Sequence, residues 1–304
     1  MGFYTAKTAK AYDKLSANYL AFIQLASIRL SLKGAKAGDM PLTQRVFKAK
    51  SAICNHCPNG LLGKSRYFWG VPPGIEIVSA NTIYLVTIWA IPVIIAITFH
   101  EAAHGFVALL LGDNTAWRLG RVSFNPLKHV DPFGTILLPG VLLLVRSPFI
   151  FGYAKPVPIN FRALRWPRRD MVLVAAAGPA MNITLAVAAA LAFHIVGYLP
   201  ATSAQWLVDN LKNALIINVV LAVFNLFPLP PLDGGRILVG ILPKAAAASV
   251  ARLEPYGLAI LIGLLIVLPL VGAQLGIDLD VVSRALAIST GAIIEAILYI
   301  TGNI

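Results

Sequence analysis

Residues 94–111 read Ile-Ile-Ala-Ile-Thr-Phe-His-Glu-Ala-Ala-His-Gly-Phe-Val-Ala-Leu-Leu-Leu, an apolar run with three ionisable residues near its middle. In a helix, residues four positions apart lie on one face, so His100 and His104 point in the same direction. Two such imidazoles can bind a zinc ion, and Glu101 beside them is a candidate general base. Ionisable groups in an apolar run of this length are costly, so their presence predicts a functional site.

The composition places this run in a membrane protein. The chain has 304 residues, of which 58% are hydrophobic and only 12% are charged, whereas a soluble domain carries about 25% charged residues. The net charge of +12 does not indicate nucleic acid as a partner, because the Lys and Arg residues fall in short blocks between apolar runs. Such blocks are typical of cytoplasmic loops, and the lipid bilayer is the expected environment.

The apolar runs predict an all-α polytopic membrane protein with about five to six transmembrane or re-entrant helices. The first helix is expected at 75–112, with a possible kink at Pro92. The segment 134–150 is short and is either a brief span or a re-entrant segment. Short strands are expected at the cytoplasmic face, with one at 121–124. The remaining spans are expected at 171–199, 211–227, 256–273 and 281–300, and 200–210 is expected to be an external loop.

The composition also divides the chain into three parts. Residues 1–74 form a basic N-terminal tail, residues 75–242 form the predicted membrane core, and residues 243–304 form C-terminal helices. In the tail, residues 19–32 have helical spacing, and this helix lies either on the membrane surface or against the protein's own loops. If 75–112 crosses once toward the cytoplasm, the basic tail lies outside, against the positive-inside rule. A second crossing or a surface location would resolve this conflict.

The cysteines and the other histidines give weaker signals. Cys54 and Cys57 form one Cys-x-x-Cys pair, but a structural zinc site needs a second pair. Free thiols or a redox-sensitive pair are therefore the favoured interpretation. His194 is predicted to be a helix-packing residue, and His129 a hydrogen-bonding loop residue.

Asp233 is the best candidate for a third metal ligand. A catalytic zinc ion usually has three protein ligands and one open position for water. Asp233 is the only acidic residue between Asp209 and Glu254. It lies in a Pro- and Gly-rich turn that loop charges place on the same membrane side as the C-terminal end of the His helix. One Zn²⁺ per chain would lower the pKa of bound water to roughly 7. That water would be the nucleophile, and Glu101 would take its proton and pass it to the leaving amine.

These residues match a known family pattern. His-Glu-Ala-Ala-His at 100–104, Gly-Pro-Ala-Met-Asn at 178–182 and Asn-Leu-Phe-Pro-Leu-Pro-Pro-Leu-Asp-Gly-Gly at 225–235 occur in family order. The chain resembles the site-2 proteases, the intramembrane zinc metalloproteases. Residues 121–135 and 151–160 look like the compact bacterial branch, and no insert is long enough for a PDZ domain.

The resemblance implies His100, His104 and Asp233 as metal ligands and Glu101 as the base. It also places Asn182 and Asn225 near the active site, where their side chains could orient substrate or stabilise the oxyanion. The implied activity is hydrolysis of a peptide bond in a transmembrane protein. The implied location is the inner cell membrane, with the active site toward the cytoplasm.

We expect the substrate helix to unwind locally, with the strand at 121–124 or the segment 134–150 clamping its backbone by strand addition. Two other classes of function stay open at this point. One is a catalytically silent scaffold that retains the zinc site, and the other is a transporter with a buried ion path.

Overall fold

The computed structural model describes residues 80–129, 131–137, 141 and 155–304. The basic tail with Cys54 and Cys57, and most of the segment 134–150, lie outside these residues. The described part is helical and contains no strand. Its helices are α1 (Ala80–Leu110), α2 (Thr115–Arg118), α3 (Pro167–Ala192), α4 (Ala201–Asn225), α5 (Asp233–Ile241), α6 (Lys244–Ala251), α7 (Gly257–Ile262), α8 (Leu268–Leu275) and α9 (Val281–Ile300). Short 3₁₀ or π turns cover Pro126–Lys128, Pro132–Leu137, Phe193–Tyr198, Glu254–Tyr256 and Gly263–Val267.

Four of the described helices are long and apolar enough to cross a membrane: Val86–Leu110, Pro167–Tyr198, Ser203–Asn225 and Val281–Ile300. A fifth span exists if the bent pair Lys244–Tyr256 and Ala259–Leu265, which meet at 74°, forms one crossing. The prediction of an all-helical polytopic protein is therefore confirmed.

The strand expected at 121–124 is wrong. These residues form bends, and the Phe124 ring stacks on Phe99 at 4.5 Å and on Phe106 at 5.1 Å between ring centroids. Both partners belong to α1. The segment is therefore held by aromatic packing on a helix, and no neighbouring strand is described that could pair with its backbone.

Helix α4 begins at Ala201, ten residues before the span expected at 211. Its first turns contain polar residues but no Lys or Arg, and the absence of these cations predicted an external loop. In the structure these polar groups bond across the bundle, since Tyr84 Oη donates a hydrogen bond to Asp209 Oδ2 at 2.6 Å.

Helices α1, α3 and α4 form the centre of the bundle. Contacts between residues 84 and 209, and between 88 and 213, show that α1 and α4 run parallel. His104 contacts Val174 and His100 contacts Asn182, so α3 runs antiparallel to α1. Two apolar clusters meet on α4: one joins it to α1 and α7, and the other to α3 and α9.

Pro92 lies inside α1 and leaves one carbonyl without its helical partner, because proline has no N–H. That carbonyl belongs to Ile88, and Asn213 Nδ2 of α4 donates to it at 2.8 Å. The lost helical bond is thus replaced by a bond between helices.

Candidate metal centre

Three buried side chains from α1 and the start of α5 converge on one point. His100, His104 and Asp233 are only 6%, 4% and 5% exposed. Their facing atoms are 3.1 Å apart between the two Nε2 atoms, and 3.2 and 3.3 Å from each Nε2 to Asp233 Oδ2. Sequence spacing accounts for the two histidines, because they lie one helical turn apart. Asp233 reaches them because α4 ends at Asn225 and a proline-rich turn leads directly into α5.

Hydrogen bonds on the far side of each imidazole fix which nitrogen carries the proton. His104 Nδ1 lies 2.7 Å from the Val174 carbonyl oxygen. A carbonyl only accepts, so His104 Nδ1 is the donor. His100 Nδ1 lies 2.5 Å from Asn182 Oδ1 and is likewise the donor. In the neutral imidazoles both Nε2 atoms therefore carry lone pairs and no hydrogen.

This arrangement fits a metal cation. The two Nε2 lone pairs face each other and a carboxylate oxygen, with no hydrogen between them. Asp233 Oδ2 is buried and accepts no hydrogen bond from any described residue. Zinc–nitrogen bonds of about 2.0–2.1 Å in tetrahedral geometry give ligand-to-ligand distances of roughly 3.3 Å. The observed distances of 3.1 to 3.3 Å match that value.

Gly178 of α3 provides the space beside these atoms. A Cβ atom added at Gly178 would lie 2.4 Å from His104 Nε2 and 2.6 Å from His100 Nε2. Both distances are far shorter than a van der Waals contact. Any side chain at residue 178 would therefore occupy the position that a metal ion needs.

Glu101 is held by the segment that precedes α3. Its Oε2 atom accepts the backbone N–H of Val157 at 2.9 Å. Val157 lies between Pro156 and Pro158, so its N–H is the only one that this tripeptide can offer. The hydrogen bond fixes the orientation of the Glu101 carboxylate relative to α1.

The two predicted asparagines lie in different surroundings. Asn182 is 0% exposed, and its Nδ2 donates to Ala96 O at 3.2 Å and to Asn218 Oδ1 at 2.8 Å. Its substrate or oxyanion role stays a prediction, but this geometry favours an orienting role because both amide hydrogens are already donated. Asn225 Nδ2 donates to Leu221 O within α4 at 2.9 Å.

The other two described histidines lie outside the cluster. His129 is buried, and its Nε2 lies 2.8 Å from the Ser123 carbonyl oxygen. His194 Nε2 lies 2.8 Å from the Thr301 carbonyl oxygen. Among the described residues, His100, His104 and Asp233 form the only group of three or more potential ligands that could hold a metal.

Sequence reasoning missed Asn218 and the Val157 N–H. No recognised motif includes Asn218, and a backbone donor leaves no signature in side-chain chemistry. For the Val157 N–H, the one available signal was the Pro-Val-Pro sequence at 156–158.

Together the fold and the cluster describe a helical protein with membrane-length helices and a buried group of side chains that could hold a metal ion. Comparison with known proteins identifies its class. The model of peptidase family M50 matches residues 192–269, a region that includes Asp233. The chain is 40% identical over 183 residues to the "Putative zinc metalloprotease YwhC" of Bacillus subtilis, covering 58% of this chain and 78% of the relative.

Further relatives, from two mycobacterial species, carry the name "Putative zinc metalloprotease Rip2". The protein from Mycolicibacterium smegmatis is 29% identical over 174 residues, which cover 57% of this chain and 64% of the relative. The protein from Mycobacterium tuberculosis H37Rv is 26% identical over 199 residues, which cover 64% of this chain and 74% of the relative. No solved structure matches the chain.

The chain belongs to peptidase family M50, the site-2 protease family. It is a multi-pass membrane protein and a zinc metalloprotease. This result confirms the enzyme class and the zinc cofactor, and it favours the protease over the scaffold and the transporter.

Proposed function

We propose that the protein hydrolyses a peptide bond of a transmembrane protein within or near the bilayer. In this proposal His100, His104 and Asp233 hold the zinc ion, and Glu101 is the general base. The observation that carries it is the convergence of three buried ligand atoms at 3.1 to 3.3 Å inside a bundle of membrane-length helices.

The ligands are prepared for the metal by their own hydrogen bonds. Val174 O and Asn182 Oδ1 hold the Nδ1–H groups of the imidazoles, which leaves both Nε2 atoms free to bind. Asp233 adds a negative charge, and Arg236 Nη1 lies 3.9 Å from its other oxygen, Oδ1. Bound zinc supplies Lewis-acid chemistry that makes water acidic enough to lose a proton near neutral pH.

In this proposal Glu101 transfers the proton of the attacking water. It follows a metal ligand directly in sequence, and the Val157 N–H holds one of its carboxylate oxygens in place. In the proposed reaction Glu101 takes a proton from the attacking water and delivers it to the leaving amine. This restores the carboxylate for the next cycle.

The position of the site in the bundle supports a membrane substrate. His100 and His104 lie in the last third of α1, within the span Val86–Leu110, and are almost completely buried. A peptide bond in a transmembrane segment of a substrate would lie at a comparable depth in the bilayer. We assign residues 75–242 to the protease core and 243–304 to accompanying C-terminal helices.

Loop charges support an active site toward the cytoplasm in the inner membrane. The described part of the chain at the site end, which includes connections, α2 and the first turn of α3, carries several exposed basic residues: Arg118, Lys128, Lys155, Arg165, Arg168 and Arg169. Two acidic residues in the same part, Asp113 and Asp170, are buried. An excess of exposed cations marks cytoplasmic loops.

Glu101→Gln tests the reaction. Wild type and Glu101→Gln are expressed at equal levels, and membrane-protein fragments are compared by mass spectrometry. We expect fragments from transmembrane segments only with wild type, and equal zinc content in both proteins. Glu295→Gln makes the same chemical change at an exposed site on α9 and should behave as wild type. Identical fragments with Glu101→Gln would overturn the proposed role of this base.

A further inference from the structure

Asn218 is a polar residue in the apolar interior of α4. It is 2% exposed, between Leu215 and Val219, which are also buried. Burying an amide without hydrogen bonds is unfavourable, so the partners of this side chain matter. Asn218 Nδ2 donates to Ala214 O at 2.8 Å, and its Oδ1 accepts from Asn182 Nδ2 at 2.8 Å.

The two imidazoles differ in how their Nδ1–H groups are held. His104 donates to a backbone carbonyl, which can only accept, so its tautomer is fixed by the backbone. His100 instead faces the side-chain amide of Asn182. An amide can present either its oxygen or its NH₂ group. If Asn182 were turned around, His100 Nδ1 would have to accept, and the proton would move to Nε2, the atom that faces the other ligands.

A chain of hydrogen bonds selects one orientation. It starts at Ala214 O, a carbonyl that can only accept. Asn218 must therefore point its Nδ2 at Ala214 and its Oδ1 at Asn182. Asn182 in turn points its Nδ2 at Asn218 and its Oδ1 at His100. The second acceptor for Asn182 Nδ2, Ala96 O, lies farther away at 3.2 Å.

We propose that Asn218 is a positioning residue of the metal centre: it fixes the orientation of the Asn182 amide and so keeps His100 Nε2 free of a proton and available to zinc. The inference rests on the proposed ligand role of His100. Groups outside the direct ligands typically change metal affinity by 10- to 100-fold when removed. Because Asn218 acts through a second residue, the lower end of that range is expected.

The test measures zinc affinity of the full-length protein in detergent by competition with a chromophoric chelator. Asn218→Leu should weaken zinc binding about tenfold. Asn218→Asp has the same shape, and a buried, protonated carboxyl group keeps one donor and one acceptor. It should restore most of the affinity. Asn213→Leu removes another buried amide of α4, one that contacts Ile88 O, and should leave zinc affinity unchanged.

A double variant shows whether Asn218 acts through Asn182. Zinc binding by Asn182→Leu should be weaker than wild type, and adding Asn218→Leu should cause no further loss, because coupled residues are not additive. Wild-type affinity in Asn218→Leu, or fully additive losses in the double variant, would overturn the inference. His100→Ala tests the proposed ligand role of His100 separately from the role of Asn218. Unchanged affinity in that variant would overturn the ligand assignment itself, whereas a large loss there with none in Asn218→Leu would overturn only the role of Asn218.

Discussion

Gly178→Ala is the sharpest test of the metal centre, because a single methyl group enters the space shared by both imidazoles. The added Cβ would lie 2.4 Å from His104 Nε2, 2.5 Å from His100 Cε1 and 2.6 Å from His100 Nε2. Normal contacts of carbon are about 3.5 Å or longer, so the overlap is about 1 Å. The rings cannot turn away freely, because Val174 O and Asn182 Oδ1 hold their far sides.

The size of the effect follows from the ligands that are lost. Moving an imidazole by about 1 Å stretches a zinc–nitrogen distance of about 2.1 Å to about 3 Å, which is no longer a bond. A four-ligand zinc site binds with roughly 10–16 kcal/mol, or roughly 3 kcal/mol per ligand. Each lost imidazole therefore costs about 100-fold in affinity, and the loss of both costs about 10⁴-fold.

The sign of the change in the free energy of unfolding is informative as well. In an ordinary helix interior, alanine is more favourable than glycine by about 1 kcal/mol. At residue 178 we expect overpacking to reverse that gain, with a net loss of about 1–3 kcal/mol in the free energy of unfolding. Gly197→Ala is the matched control, because a Cβ at Gly197 meets nothing within 4 Å.

Two assays read out the result. Zinc per chain is measured by mass spectrometry after purification without chelator, and thermal unfolding is followed with and without added zinc. Zinc should raise the unfolding temperature of wild type and Gly197→Ala, since a ligand that binds only the folded state stabilises it. It should not do so for Gly178→Ala. One tightly bound zinc ion per chain in Gly178→Ala would refute the convergence of the imidazoles at Gly178.

Three further changes test other parts of the site and the bundle. Asp233→Asn should lower zinc affinity by about 100-fold, read by chelator competition, because it removes the charged ligand; wild-type affinity would contradict its role. Val157→Pro removes the N–H that Glu101 accepts and should lower kcat about tenfold with zinc content unchanged, whereas Val157→Ala keeps the N–H and should retain kcat. Burial and the bond to Asp209 raise the pKa of Tyr84 above its usual value, so this bond stabilises the fold fully below about pH 10 and is lost only as the pH rises through the raised pKa. Tyr84→Phe should therefore lower the free energy of unfolding at pH 8 by roughly 1 kcal/mol, measured as a lower unfolding temperature. The difference in stability between wild type and Tyr84→Phe should shrink only above pH 10. A difference that shrinks below pH 9 would contradict the stabilising role of the bond from Tyr84 to Asp209.

Local spacing predicted the part of the site that lies on one helix. His100 and His104 share a face because they are one turn apart, and Asp233 stood out because it is the only acidic residue between Asp209 and Glu254. The strand at 121–124 could not be judged in this way, because a strand requires a partner that the sequence does not name. Instead of pairing with a strand, Phe124 stacks on aromatic rings of α1.

Hydrogen bonds between residues far apart in the sequence explain the features that sequence analysis did not predict. The start of α4 has no Lys or Arg before residue 211 and was therefore expected to be an external loop, but Asp209 bonds to Tyr84, 125 residues away. No motif marks Asn218 in the sequence, and its partner Asn182 lies on another helix, 36 residues earlier. Both roles depend on which helices lie side by side, and this information is absent from any local pattern.

The hydrogen bonds that hold the candidate metal centre also fix the register of the three central helices. His104 bonds to residue 174 and His100 to residue 182, so sliding α3 by one turn of about 5.4 Å would break both bonds at once. The same slide would separate Asn182 from Asn218 on α4. Apolar side chains alone tolerate several registers, because their packing is non-directional. Buried polar groups are destabilising in every register except the one in which they find hydrogen-bond partners. The polar residues that hold the two imidazoles therefore also select the alignment of α1, α3 and α4.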